Sequence, residues 1–260
     1  MPMGASTIFG ERNKGDYGWR KDFRDRVVAT GSDVNMIGSA RMGDMLDNDC
    51  EGHMGFTIER IHEEAKLVVP AMQPNLVVLL AGANNIYQLV DVEHADQHLE
   101  DLIRYILEVS PQATVILSTL LLSLLPPCVP LNDDVNKRYR QLYRKLEAEN
   151  KPVVLAELHP DSGLPDRPEA GDIGGDGAHP TDEGYAKMAK IYSEAVMEAD
   201  RRGFLREPVD NGIPADGNSE GEPRIGVPPR PERRRDLETE SFLFNSIQKR
   251  GWCEPPEPAD

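Results

Sequence analysis

The sequence predicts an α/β fold with helices on both faces of a parallel sheet. Short, continuous apolar runs are bounded by turn residues, which suits strands that are buried on both faces. These runs are Leu76–Leu80, Thr114–Leu117 and Val153–Leu155. Amphipathic helical patterns alternate with them, and such alternation is typical of a parallel sheet. An α+β fold is the alternative. In a parallel sheet, functional residues gather beyond the carboxyl ends of the strands.

The other elements follow the same alternation. Asp33–Gly38 is a weaker strand candidate near the start of the chain. Apolar residues at helical spacing predict helices around Trp19–Val27, Ile58–Ala65, Leu99–Leu107 and Tyr185–Val196. The last of these should begin near Thr181, because a capping hydroxyl is followed there by acidic residues.

The composition changes near residue 203. We therefore predict a folded domain over residues 1–202 and a proline-rich linker or disordered tail over 203–260, which holds nine of the chain's 21 prolines. Within that tail, Phe242–Ile247 is a candidate for a short docked helix.

The net charge of −16 argues against nucleic acid and anionic membranes as partners. No apolar run approaches the roughly 20 residues that span a bilayer. The start lacks a basic stretch followed by an apolar one, so no secretory signal peptide is predicted. Cys50, Cys128 and Cys253 allow one disulfide and one remaining thiol, without indicating which pair forms.

Two local patterns suggest a nucleophile and its base. Ser6 lies between Gly4 and Gly10, which suits a tight turn that presents a hydroxyl, although such a serine is more often part of an ordinary turn. Asp176 precedes His179 by three residues in a glycine-rich loop, so one loop could supply a base and the carboxylate that orients it.

Two further patterns suggest donors for an oxyanion. Asn84 and Asn85 follow the most apolar strand, where an asparagine side chain can donate a hydrogen bond. Gly55, in the run Glu51–Phe56, could offer a backbone N–H. Turns and flexible loops are the plain interpretations of both patterns.

Other polar clusters carry less weight. Asp91 and His94 repeat the three-residue spacing, but they begin an amphipathic helix and should face solvent. Asp47–Gly52 imitates the first half of a calcium-binding loop, yet Ile58 stands where the bidentate glutamate is needed. We predict no metal site and no cofactor.

The ordered blocks Gly-Ala-Ser-Thr-Ile, Glu-Gly-His-Met-Gly-Phe, Gly-Ala-Asn-Asn and Asp-Gly-Ala-His-Pro resemble those of SGNH (GDSL-type) hydrolases, over roughly residues 1–200. The second and fourth look most like carbohydrate esterase family 3 acetylxylan esterases. The resemblance implies a three-layer, flavodoxin-like fold. It implies Ser6 as nucleophile, His179 as base and Asp176 as the orienting acid.

The same resemblance implies an oxyanion hole formed by the Ser6 N–H, the Gly55 N–H and the Asn84 side chain. It further implies a secreted protein, expected to be a monomer, that deacetylates a plant polysaccharide such as xylan or a small ester. A lipid or thioester hydrolase, with Leu120–Leu125 lining an acyl pocket, is one alternative. A catalytically impaired binding module is the other.

Three departures from the family pattern bear on that choice. Ala5 replaces an aspartate that many members carry, and Asn85 replaces another. Only Met1–Met3 precede Gly4, so the first strand is expected to be a weak anchor and the start truncated or processed.

Overall fold

The computed structural model describes residues 1–213 and Cys253. Nearly all of the predicted tail, including the candidate helix Phe242–Ile247, lies outside the described residues. Residues 203–213, which are described, follow the last helix without forming a helix or a strand.

A mixed, mostly parallel six-stranded sheet forms the centre of the molecule, in the order β2-β3-β1-β4-β5-β6. The strands are β1 Pro2–Gly4, β2 Ala40–Arg41, β3 Asp49–Gly52, β4 Leu76–Leu80, β5 Thr114–Ser118 and β6 Val153–Ala156. Every pairing is parallel except that of β2, which runs antiparallel to β3 at one edge. The five parallel strands have the flavodoxin-like order. The predicted α/β fold is confirmed.

Helices cover the faces of this sheet. They are α1 Ser6–Phe9, α2 Arg20–Val28, α3 Ile58–Met72, α4 Ala83–Gln88, α5 Ala95–Val109, α6 Val129–Ala148 and α7 Asp182–Arg201. On one face α2 packs against α7, and on the other α5 packs against both α3 and α6. The predicted start of the last helix is confirmed, because the Thr181 side chain accepts a hydrogen bond from the Gly184 N–H.

The first strand is short but central. Its three residues pair with β3 on one side and β4 on the other, and all three are buried. Gly4 is required at its end, because a Cβ atom there would collide with the backbone oxygen of Leu80. Close backbone approach therefore fixes the strand that leads directly to Ser6.

The strand predicted at Asp33–Gly38 is wrong, because that segment is irregular and β3 takes its place in the sheet. The sequence of β3 is polar, yet the whole strand is buried because its acidic side chains are satisfied. Asp49 accepts a hydrogen bond from Arg41, and Glu51 accepts hydrogen bonds from the backbone and hydroxyl of Ser39. An apolar pattern cannot reveal a strand of this kind.

The described chain contains one disulfide, between Cys128 and Cys253. Cys253 also donates its backbone N–H to the carbonyl of Tyr87 in α4. Cys50 is buried in β3, outside this bond. Among the described residues no helix is long and apolar enough to cross a membrane.

Candidate active site

Ser6 lies at the carboxyl end of β1, where the chain turns into the short helix α1. Backbone hydrogen bonds from Ile8 to Ala5 and from Glu11 to Ser6 close the turn. Ala5 stands at the helix N-cap and provides no side-chain acceptor. The serine is thus presented by backbone geometry alone.

The loop before α7 brings His179 to this serine. Ser6 Oγ lies 2.8 Å from His179 Nε2, and His179 Nδ1 lies 2.7 Å from Asp176 Oδ2. With the ring proton on Nδ1, the imidazole donates to Asp176 and accepts from the serine hydroxyl. We call Asp176 and His179 the relay pair. The hydrogen bond from Gly174 N–H to the His179 carbonyl, 2.7 Å long, closes the loop around them.

Asp176 is held as a carboxylate. Burial opposes ionisation, but hydrogen bonds from the His179 ring and from the N–H groups of His179 and Ala178 outweigh it. Together they hold the pKa of Asp176 well below its usual range. The Asp176 carboxylate therefore stays negatively charged at any pH at which an imidazole can act as a base.

Asn84 converges on the same point from α4. Its Nδ2 donates to the Phe56 carbonyl at 3.0 Å, and because an amide nitrogen carries two hydrogens, a second donor remains. Gln88 donates to the Gly55 carbonyl, so α4 also holds the Gly55–Phe56 segment. Gly55 itself is not among the described residues that line the cavity at Ser6.

That cavity is small and largely apolar. About 30 Å³ of it is open to the centre of a water-sized sphere. Its walls come from the ends of β1, β4 and β5, from α4, and from the loop before α7 that carries the relay pair, which we call the relay loop. They comprise Ala5, Ser6, Thr7, Leu80, Ala81, Gly82, Ala83, Asn84, Tyr87, Leu120, Leu121, Ala178 and His179. Burial raises the pKa of Tyr87 to about 12, so this wall carries a neutral phenol.

Two charged residues that the sequence analysis did not single out complete the surroundings of the relay pair. Arg12 Nε lies 2.7 Å from Asp176 Oδ2, and Glu11 Oε2 lies 3.4 Å from His179 Nε2. They follow Gly10, the glycine at the C-cap of α1. Their position after Gly10 is visible in the sequence, but the direction of their side chains is set by the fold.

The family model described as GDSL-like Lipase/Acylhydrolase family matches residues 4–187, which is well over half of the chain. The chain belongs to the GDSL-like lipase/acylhydrolase family. It is therefore a hydrolase of that family, and its matched region includes all five residues that the sequence analysis assigned to the site.

Several solved structures share the fold. A Clostridium thermocellum family 3 carbohydrate esterase is 24% identical, with a TM-score of 0.68, covering 78% of this chain and 96% of its own. A carbohydrate esterase family 3 structure from Talaromyces cellulolyticus is 17% identical (TM-score 0.65; 78% and 97% covered). A lipase/acylhydrolase from Enterococcus faecalis is 18% identical (TM-score 0.56; 77% and 94% covered). No curated protein sequence matches the chain.

One departure of this GDSL-family hydrolase from the family pattern, the asparagine at position 85, has a structural reason. Asn85 is fully buried, and its Nδ2 donates to Glu59 and to the Val90 carbonyl while its Oδ1 accepts from the Ile58 N–H. An aspartate could not make the two donations and would face the Glu59 carboxylate. The asparagine thus joins α3 to α4 beside Asn84.

None of the other polar clusters contributes a residue to the described lining of the cavity at Ser6. Asp91 and His94 form an exposed pair, as predicted. Asp47 is bound by Arg24 and by the Met36 N–H, so it serves the loop before β3. His53 Nε2 lies 2.5 Å from Glu51 Oε1, and its ring stacks on Phe56, so this side chain stabilises its own loop.

Proposed function

We propose that this hydrolase is a serine esterase that removes short acyl groups, in particular acetyl groups, from a carbohydrate. The contact chain from Ser6 Oγ through His179 to Asp176 carries the proposal. His179 takes the serine proton as Oγ attacks the ester carbonyl. The same proton then passes to the leaving alcohol, and an acyl-enzyme remains. Water, activated by His179, hydrolyses it.

The negative charge that develops on the carbonyl oxygen needs donors. The Ser6 backbone N–H and the second N–H of Asn84 are the candidates at the cavity, whereas Gly55, the third donor that the family resemblance implies, is not among its described lining residues. A donor of this kind is typically worth about 3–4 kcal/mol of transition-state stabilisation.

The size of the cavity supports a small acyl group. A site that holds one water needs roughly 10–15 Å³ on the same measure, so the space at Ser6 corresponds to about two waters. An acetyl methyl fits such a space, whereas a long acyl chain does not. Leu120 and Leu121 do line the cavity, as the lipase alternative expects, but the space that they line is too small for a long acyl chain.

The carbohydrate part of the proposal rests on similarity. Two of the solved structures of similar fold are described as family 3 carbohydrate esterases. An acetylated plant polysaccharide such as xylan is therefore the substrate we propose. An impaired binding module is disfavoured, because a non-catalytic protein has no need of an assembled base and orienting carboxylate.

The nucleophile can be tested by covalent labelling with a fluorophosphonate. We expect the folded protein to be labelled, and Ser6→Ala and His179→Ala to abolish labelling and to lower kcat by roughly 10⁶-fold. Ser193→Ala, on α7, is the matched control and should keep both. Absence of labelling in the folded wild-type protein would contradict the proposal.

A second comparison tests the acyl group. Release of acetate from acetylated xylan and hydrolysis of p-nitrophenyl esters of increasing chain length would be measured with one enzyme preparation. We expect acetyl to be preferred over octanoyl. A preference for octanoyl would favour the lipase alternative.

We also propose that the protein is secreted. Support comes from the Cys128–Cys253 disulfide, because such bonds persist in oxidising compartments and are rare in the cytosol. Mass spectrometry after alkylation in the source cells would contradict this if both thiols were found reduced.

A further inference from the structure

The Glu11 carboxylate occupies an unusual position beside the candidate base. Its Oε2 atom is buried and has no hydrogen-bond partner among the described residues. The nearest charged contact is His179 Nε2 at 3.4 Å, the ring nitrogen that also faces Ser6. The residue is well anchored, since its N–H donates to the Ser6 carbonyl and its own carbonyl accepts from the Tyr185 hydroxyl.

Such an oxygen is unfavourable when His179 is neutral. A buried acceptor without a donor costs roughly 1–3 kcal/mol, and more when it is charged. The unprotonated Nε2 presents a lone pair, so it cannot relieve that cost. Once the imidazole takes the serine proton, Nε2 becomes a cationic donor. An interaction that is stronger in the transition state than in the ground state accelerates the reaction.

The opposite end of the relay pair carries the reverse charge. The Arg12 guanidinium contacts the same Asp176 oxygen that accepts from His179 Nδ1. It thereby offsets part of the negative charge that Asp176 directs at the ring. Glu11 and Arg12 are adjacent in sequence, and they place one negative and one positive charge on the two sides of one imidazole.

Several other titratable or charged groups surround this site: Tyr185 and Asp182 on α7, Tyr87 on α4, and Arg20 on α2. Burial raises the pKa of both tyrosines, so neither supplies charge. Asp182 is held by the Asn13 side chain and the Lys14 N–H, and the Arg20 guanidinium is bound by backbone carbonyls. Glu11 and Arg12, by contrast, contact His179 and Asp176 directly.

We propose that Glu11 is a positioning residue that stabilises the protonated His179 ring from its Nε2 side. Arg12 has the opposite effect, because it offsets part of the negative charge of Asp176. The proposal rests on the proposed function of His179 as general base. The proton itself moves only between Ser6, His179 and the leaving alcohol. Glu11 acts through charge and orientation.

The test compares Glu11→Gln with Arg12→Gln, because the two substitutions remove opposite charges, and Glu11→Gln does so without changing the shape of the side chain. Glu194→Gln, on the exposed surface of α7, is the control for a generic loss of negative charge. For each protein, NMR titration would follow the His179 ring signals, and kcat/KM for p-nitrophenyl acetate would be measured from pH 4 to pH 9.

In Glu11→Gln we expect the midpoint of the His179 titration and the acidic limb of the kcat/KM profile to move to lower pH by about one unit. The plateau should fall roughly tenfold, since one unit corresponds to a tenfold change. In Arg12→Gln both should move to higher pH by a smaller amount, because Arg12 is about half exposed. Glu194→Gln should match the wild type.

Equal displacement in Glu194→Gln, no displacement in Glu11→Gln, or a displacement of Glu11→Gln to higher pH would overturn the proposal. The NMR titration keeps the outcome independent of catalysis. If the wild-type protein neither reacts with a fluorophosphonate nor hydrolyses esters, the proposed function fails, while the titration still decides whether Glu11 stabilises the protonated ring.

Discussion

The turn that carries Ser6 and the loop that carries the relay pair meet at one point, but different contacts hold them. Asp176 receives hydrogen bonds or ion pairs from the Ala178 N–H, the His179 N–H, the His179 ring and the Arg12 guanidinium. The Ser6 turn has no side-chain cap and relies on backbone hydrogen bonds and on close approach of β1 to β4. We therefore expect the loop with the relay pair to be sensitive to substitutions that change charge, and the Ser6 turn to be sensitive to substitutions that change side-chain volume.

The largest effect should come from the relay loop. Asp176→Asn retains the shape but removes the acceptor that fixes the His179 tautomer, so we expect kcat to fall by about 10⁴-fold. Steady-state kinetics with p-nitrophenyl acetate and a denaturation curve would separate loss of chemistry from loss of structure. A decrease of kcat by less than tenfold would show that Asp176 contributes little to catalysis. It would also contradict the expectation that this loop is sensitive to charge.

A volume change in the Ser6 turn should come next. Gly4→Ala forces a Cβ against the Leu80 backbone oxygen, and we expect the free energy of unfolding to fall by about 3 kcal/mol. Gly171→Ala is the control, because a Cβ there meets no atom within 4 Å. Chemical denaturation would measure both variants. Equal stability of the two would mean that close approach does not fix the turn.

The smallest effect should come from adding the missing cap. Ala5→Asp places an acceptor at the N-cap of α1, where such side chains contribute about 1 kcal/mol. We expect the free energy of unfolding to rise by that amount or somewhat less. If Ala5→Asp instead destabilises the protein by the same amount, the turn is already optimal without a cap, and backbone contacts alone determine its stability.

The sequence could predict most of the fold because the central strands are apolar and the helices amphipathic. It failed where burial does not follow hydrophobicity. The polar strand β3 was missed, and α6 was not predicted because buried Asn132 and Asn136 interrupt its apolar stripe. Asn132 is hydrogen-bonded to the backbone of Leu121, and Asn136 to the backbone of Leu120. These contacts between separate parts of the chain cannot be recognised from the sequence.

The candidate site likewise contains residues that the sequence predicted and residues that it did not. Ser6, Asn84 and the relay pair were proposed from local patterns, and the structure brings these residues together at one cavity or in direct contact with it. Glu11 and Arg12 had no such pattern, because a charged residue after a turn is ordinarily a solvated one. The pairing of Cys128 with Cys253 was equally beyond the sequence, since spacing alone does not choose among three cysteines.

The bond between Cys128 and Cys253 closes a covalent ring over a sequence separation of 125 residues. Asp176 and His179 lie inside that ring, whereas Ser6 lies outside it. A single proteolytic cut anywhere between the two cysteines therefore releases no fragment. Both pieces stay attached, and the nick becomes visible on a gel only after the thiols are reduced.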